Sequence, residues 1–122
     1  MEAQIITLPE LIALAKSDDM CVIEFFTVTC KYCIAFQDTF DQIARTFKDV
    51  KFYKMDITDY HEVGVALMLE GVPSILVLNG STGQKYQFVP EPQEPNEKTW
   101  YTREHVKYHL SKYTKGLKSK NA

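Results

Sequence analysis

The chain lacks the features that would tie it to a charged polymer or a bilayer. Its 122 residues carry 14 Lys and Arg against 16 Asp and Glu, a net charge of −2, so no general attraction to nucleic acid or to a membrane surface is expected. No apolar run approaches the ~20 residues of a membrane span. The stretch IITLPELIALA is broken by Pro9 and Glu10 and has no basic lead-in, so it does not read as a signal peptide. Cysteine is scarce as well. Three cysteines are too few for a disulfide scaffold, and an odd number leaves at least one free thiol, which favours a reducing, cytoplasmic compartment. Repeats and low-complexity tracts are absent. The length and the 45% apolar content suit one compact core. The expectation is a single domain over residues 1–116, monomeric, followed by a basic tail, 117–122, without fixed structure.

What is present alternates between two periods. Residues 4 to 6 are a short apolar strand, and Thr7 with Glu10 forms a capping box for a helix presenting Leu8, Leu11, Ile12 and Ala15 on one face. CVIEFFTV, residues 21 to 28, is a nearly continuous apolar run suited to a strand buried on both sides, and Glu24 is its anomaly. From Cys33 to Phe47 the positions Cys33, Phe36, Phe40, Ile43, Ala44 and Phe47 recur at three and four residues, the stripe of an amphipathic helix. VKFYKMDI is a further strand, and Asp59 with Glu62 suggests a capping box for a helix reaching Glu70. ILVLN, the turn NGSTG and KYQFV read as a hairpin. PEPQEPNE must be a loop, after which Thr99 or Thr102 caps a last helix ending near Gly116. The order β α β α β α β β α implies an α/β fold: a central mixed sheet with helices on both faces.

The chemistry is carried by TCKYC, residues 29 to 33. A CxxC pair can be half of a zinc site, a structural staple or a redox pair. A thiol takes part in exchange only as thiolate, and its ordinary pKa of about 8.5 keeps it protonated at neutral pH. Placing Cys30 where a buried strand turns into a helix supplies unpaired N–H groups and the positive end of the helix dipole, which stabilise the anion. Cys33, one turn on, is within reach of a mixed disulfide formed at Cys30.

With those residues in view, the sequence resembles the thioredoxin family over roughly residues 4 to 115. VIEFFTVTCKYC is similar to the family's strand and WCxxC segment, KFYKMD to its third strand, and GVPS to the loop whose proline is cis in the family. The resemblance implies the thioredoxin fold and an enzyme of thiol-disulfide exchange, a protein disulfide oxidoreductase. It assigns Cys30 as attacking nucleophile and Cys33 as resolving thiol, closing together into a redox-active disulfide. Pro73 becomes the cis proline facing them, with the Val72 backbone pairing with an extended substrate. Glu24 falls where the family carries a buried acid beneath the second cysteine, whose raised pKa allows proton exchange with Cys33, and Lys54 matches the lysine near that acid. Implied partners are disulfide-containing proteins as substrates and thioredoxin reductase or glutathione as electron donor. The cysteine pair replaces any metal or organic cofactor.

The sequence departs from the family around the substrate. Thr29 stands where a tryptophan is usual, and Lys31 and Tyr32 replace Gly-Pro. A cation beside Cys30 should lower its pKa and make the disulfide more oxidising. Asp38 falls where the family's helix often has a kinking proline, so a straighter helix is expected. The absence of glycine between Gln84 and Lys115 suggests that PEPQEPNE rebuilds the rim of the substrate groove. Competing readings are a glutaredoxin-like or oxidant activity, a binding module that kept only the fold, and a zinc site built from Cys30, Cys33, His105 and His109. Glu24 could instead face solvent or serve only as a structural partner of Lys54. Cys21 reads as a small core hydrophobe, and Trp100 and Tyr101 as anchors of the last helix.

Overall fold

A computed structural model describes residues 3–114. Its elements follow the order read from the sequence: β1 (Gln4–Ile5), α1 (Leu8–Lys16), β2 (Cys21–Phe26), α2 (Lys31–Thr46), β3 (Lys51–Asp56), α3 (His61–Ala66), β4 (Ser74–Leu78), β5 (Tyr86–Phe88) and α4 (Arg103–Tyr113). The strands form one sheet in the order β1-β3-β2-β4-β5. β1 and β2 both run parallel to β3, whereas β4 is antiparallel to β2 and to β5. The central strand β2 is therefore paired on both edges, and its side chains are buried on both faces of the sheet, which accounts for its near-continuous apolar character.

Strand alternation divides the core in two. Val22, Phe52, Ile75 and Val77 point to the side of α2 and α4, where they pack with Phe36, Phe40, Ile43, Val106 and Leu110. Cys21, Ile23, Phe25, Met55, Leu76 and Leu78 point to the side of α1 and α3 and pack with Leu11 and Val63. The same alternation puts Glu24 on the α2 side, in register with Lys54 of β3.

The capping box opening α1 is formed: Thr7 N–H donates to Glu10 Oε1 at 2.9 Å, and Glu10 N–H to Thr7 Oγ1 at 3.4 Å. All six apolar positions expected on α2 are buried, and the helix runs unbroken for 16 residues through Asp38. Three expectations are corrected. Ile12 is 45% exposed, because the inward stripe of α1 follows Leu8, Leu11 and Leu14. The helix after β3 does not begin on an Asp59–Glu62 box and does not reach Glu70: its N-cap is Tyr60, with no side-chain cap bond. Asp56 organises that connection instead, accepting from Thr58 N–H at 2.9 Å. α3 ends early because Met68 takes a left-handed φ of 55° and Leu69 N–H donates to Gly64 O at 2.9 Å, a Schellman ending without its usual glycine. Of the two candidates, Thr102 caps α4. That helix stops at Tyr113, where Thr114 N–H and Oγ1 both donate to Leu110 O. The expected stop at Gly116 and the tail 117–122 lie outside the described residues.

The β4–β5 connection docks onto the end of α4. Ser81 N–H donates to Tyr113 O at 2.6 Å, and a Cβ on Gly80 would lie 2.8 Å from that same oxygen. Only glycine allows so close an approach.

Candidate active site

Cys30 is the N-cap of α2, in extended conformation, and its sulfur accepts from Cys33 N–H at 3.1 Å. This is the position at which a sulfur anion meets the unpaired N–H groups of the first helical turn. Cys30 and Cys33 are joined by a disulfide, with Cα atoms 5.2 Å apart, within the usual range for that bond. Cys33 is buried and Cys30 half-buried, so the outward sulfur is the one a substrate can reach. The segment leading into α2 is held from below, where Val28 N–H donates to Thr58 Oγ1 at 3.0 Å.

Facing the pair is the loop before β4. The Val72–Pro73 peptide is cis, and the Val72 carbonyl oxygen lies 3.6 Å from Cys30 Sγ. Tyr32 is half-buried beside them, whereas Thr29 and Lys31 are exposed. The Lys31 ammonium sits 5.5 Å from the centroid of the Tyr32 ring.

Beneath the pair lies a buried polar seam. Glu24 is completely excluded from water, which removes the solvent-facing alternative. Burial, as the dominant influence, pushes its pKa from 4.5 up to about 8, with Lys54 and a hydrogen bond from Gln37 pulling it down and Asp41 pushing it up. The Gln37 amide donates to the Cys33 carbonyl at 3.1 Å and to the two Glu24 carboxyl oxygens at 3.4 and 3.5 Å, tying the acid to the turn that carries the second cysteine. The Lys54 ammonium pairs with Asp41 at 3.0 Å. Sequence reasoning found Glu24 and Lys54 but missed Gln37 and Asp41. Their signal was positional: Cys33, Gln37 and Asp41 are spaced by four, which stacks them along one face of α2.

The remaining residues singled out from sequence fall elsewhere. Cys21 is fully buried as a free thiol, and burial, with a smaller contribution from Asp19, raises its pKa to about 11. Tyr101 is a core anchor, 1% exposed and packed on Phe36. Trp100, half-buried against the same core cluster, also meets Tyr32 edge to face, with centroids 5.4 Å apart. His105 and His109 contact each other, 4.7 Å between centroids, and the His105 ring bonds the Pro90 carbonyl at 2.7 Å. Among the described residues no three His, Cys, Asp or Glu side chains converge as metal ligands would, so the two histidines do not join the cysteine pair. No helix among the described residues is long and apolar enough to cross a membrane.

Comparison with known proteins settles the family. The thioredoxin family model matches residues 11–96. The chain belongs to the thioredoxin family. Thioredoxin-2 of Saccharomyces cerevisiae is 26% identical over 68 residues, 56% of this chain and 65% of that protein. Thioredoxin-1 of Schizosaccharomyces pombe is 26% identical over 77 residues, 63% of this chain and 75% of that one. The chain thus spans about two thirds to three quarters of these thioredoxins. Among solved structures, the thioredoxin of Trypanosoma brucei brucei superposes with a TM-score of 0.71 at 18% identity, covering 93% of this chain and 91% of that one. Mitochondrial thioredoxin 3 of Saccharomyces cerevisiae gives 0.68 at 19%, covering 90% and 94%. The thioredoxin fold, a mixed sheet flanked by helices, is common to this chain and both of these structures.

Proposed function

We propose that this protein is a thioredoxin-like protein disulfide oxidoreductase that reduces substrate disulfides through Cys30 and Cys33. The observation that carries the reading is the bonded pair at the start of α2, its outer sulfur at the helix N-terminus and 3.6 Å from the Val72 carbonyl. Reduced Cys30, as thiolate, attacks one sulfur of a substrate disulfide, forms a mixed disulfide and expels the other substrate sulfur as a thiolate. Cys33 then gives its proton to Glu24 and attacks the Cys30 sulfur. The Cys30–Cys33 bond forms, the mixed disulfide breaks, and the second substrate thiolate leaves and is protonated. Two electrons have passed from the dithiol to the substrate. Thioredoxin reductase or glutathione restores the dithiol, and the cysteine pair carries the redox equivalents without a metal or organic cofactor.

Glu24 suits this role because burial brings its pKa to about 8, close to that of an ordinary thiol, where proton exchange in either direction costs little. Gln37 and the Lys54–Asp41 pair position it. Thr29, Lys31, Tyr32, Val72 and Pro73 form the substrate-facing surface, with the Val72 backbone pairing with an extended segment. A monomer working in the cytoplasm agrees with a free thiol kept inside the core. Lys31 beside the nucleophile favours a more oxidising pair, so catalysis in the direction of disulfide formation is the second reading.

The test is a trap. With Cys33→Ser, a disulfide-containing protein substrate should accumulate as a covalent adduct at Cys30, released by dithiothreitol and visible by mass. The double variant Cys30→Ser/Cys33→Ser should form none. Adduct formation at Cys21, or binding that persists unchanged in the double variant, would contradict the exchange reading and favour a binding module.

A further inference from the structure

The loop between β5 and α4 ends in an unusual residue. Trp100 takes a φ of 65°, a left-handed conformation uncommon for a bulky side chain, which persists only where the surroundings over-determine it. They do so here. Asn96 and Trp100 exchange backbone hydrogen bonds of 2.9 and 3.1 Å, and the Asn96 side-chain oxygen accepts from Lys98 and Thr99 N–H at 2.9 and 3.1 Å. The Trp100 indole N–H then donates to Glu91 Oε2 at 2.6 Å. The result is a ring fixed over Tyr32, the residue before the second cysteine.

Tyr32 and Trp100, with Val72, Pro73, Glu70 and Glu91, line a groove of about 280 Å³. Val72, whose carbonyl is 3.6 Å from Cys30 Sγ, lines the groove, which thus adjoins the sulfur that meets substrate. Its rim is acidic. Glu70 is free to reach it because α3 stops at Ala66, and Glu70 and Glu91 are both exposed. The same two carboxylates border the adjoining hollow of about 220 Å³. The opposing charge is Lys31, which sits over the Tyr32 ring but does not line the groove.

We propose that this groove is a specificity subsite that accepts a Lys or Arg side chain flanking the substrate's cysteine; the inference rests on the exchange reading above. A cation there lies between two carboxylates and beside the Tyr32 and Trp100 rings, an arrangement that attracts it by charge. An acidic flanking residue meets like charge. The groove thus selects protein disulfides in basic surroundings.

Two short peptide disulfides, identical except for Lys or Glu on both sides of the cysteine, provide the test. The reduced protein should give a kcat/KM about fivefold to tenfold higher for the Lys peptide at low salt, with the ratio narrowing as ionic strength rises. In Glu70→Gln/Glu91→Gln the ratio should fall toward one. The ratio is read within each protein, so a general loss of activity in a variant leaves it interpretable. Equal rates for the two peptides in the wild type, or an unchanged ratio in the double variant, would overturn the subsite while the exchange reading stands. Failure to reduce either peptide would overturn the exchange reading and the subsite with it.

Discussion

The two faces of the central sheet bury one ionisable group each from the same strand, and the same force gives them opposite fates. Cys21 and Glu24 both lie in β2 and are both completely excluded from water. Burial raises both pKa values. For the thiol on the α1/α3 face the result is about 11, beyond any physiological pH, and the group is silent. For the carboxyl on the α2/α4 face the result is about 8, which brings an acid that would otherwise be ionised into the range where thiols exchange protons. Desolvation thus inactivates one group and prepares the other because they start from different ordinary values. Lys54 and the Gln37 hydrogen bond then hold the Glu24 pKa below where burial and the nearby Asp41 would take it.

The sharpest way to break this comparison is to exchange the fates of the cysteines. Cys30→Ser should lower the rate of substrate disulfide reduction by at least about a thousandfold, since it removes the nucleophile. A variant retaining substantial activity would mean that another thiol attacks.

Glu24→Gln comes next. Resolution of the mixed disulfide, followed by stopped-flow, should slow by about a hundredfold. In the wild type the rate should rise with pH through about 8 as Glu24 loses its proton and becomes a base, and this inflection should vanish in the variant. The linkage carries a definite sign. Because the folded-state pKa is raised above 4.5, the folded protein binds this proton more tightly than the unfolded chain does. The contribution is fully present below about pH 4.5 and is lost as pH rises through about 8, at most on the order of 5 kcal/mol. Urea unfolding at several pH values should show this decline in the wild type and a flatter profile in Glu24→Gln. Equal slopes would place the titration elsewhere.

Lys54→Met is a subtler change. Loss of the ammonium removes an influence that lowers the Glu24 pKa and leaves Asp41 without its 3.0 Å partner. The inflection in resolution should therefore move to higher pH, and stability should fall. An inflection that stays in place would show that Lys54 serves packing alone. The smallest effect belongs to Cys21→Ala, which should cost about 1 kcal/mol as a small cavity and leave exchange kinetics unchanged.

How far the sequence reveals this molecule depends on whether a residue's neighbours are near in the chain. The element order was legible because β2, α2 and the hairpin each keep one period throughout, and Thr7 and Glu10 cap α1 over three residues. Glu24 stood out as a single acid in an apolar run. Gln37 and Asp41 did not, because a polar residue on an amphipathic helix looks like solvent face until a buried partner is placed against it. The end of α3 was misread because Met68 adopts the conformation expected of glycine, and the placement of Trp100 was hidden for the same reason. Both residues owe their backbone geometry to surrounding contacts rather than to intrinsic preference; Trp100 lines the substrate groove and Met68 the hollow that adjoins it. The rim that chooses the substrate is thus the least legible part of the site.

The most direct test of the central claim is a redox titration of the Cys30–Cys33 pair. The protein would be equilibrated across glutathione buffers, denatured in acid, alkylated and weighed. The account predicts that the number of free thiols falls from three to one in a single transition, Cys21 remaining free. With Lys31 beside the nucleophile, the midpoint should be less negative than the roughly −270 mV of thioredoxin. A count that stays at three in oxidising buffer would mean that the pair does not cycle, and dithiol-disulfide exchange would not be the function of this site.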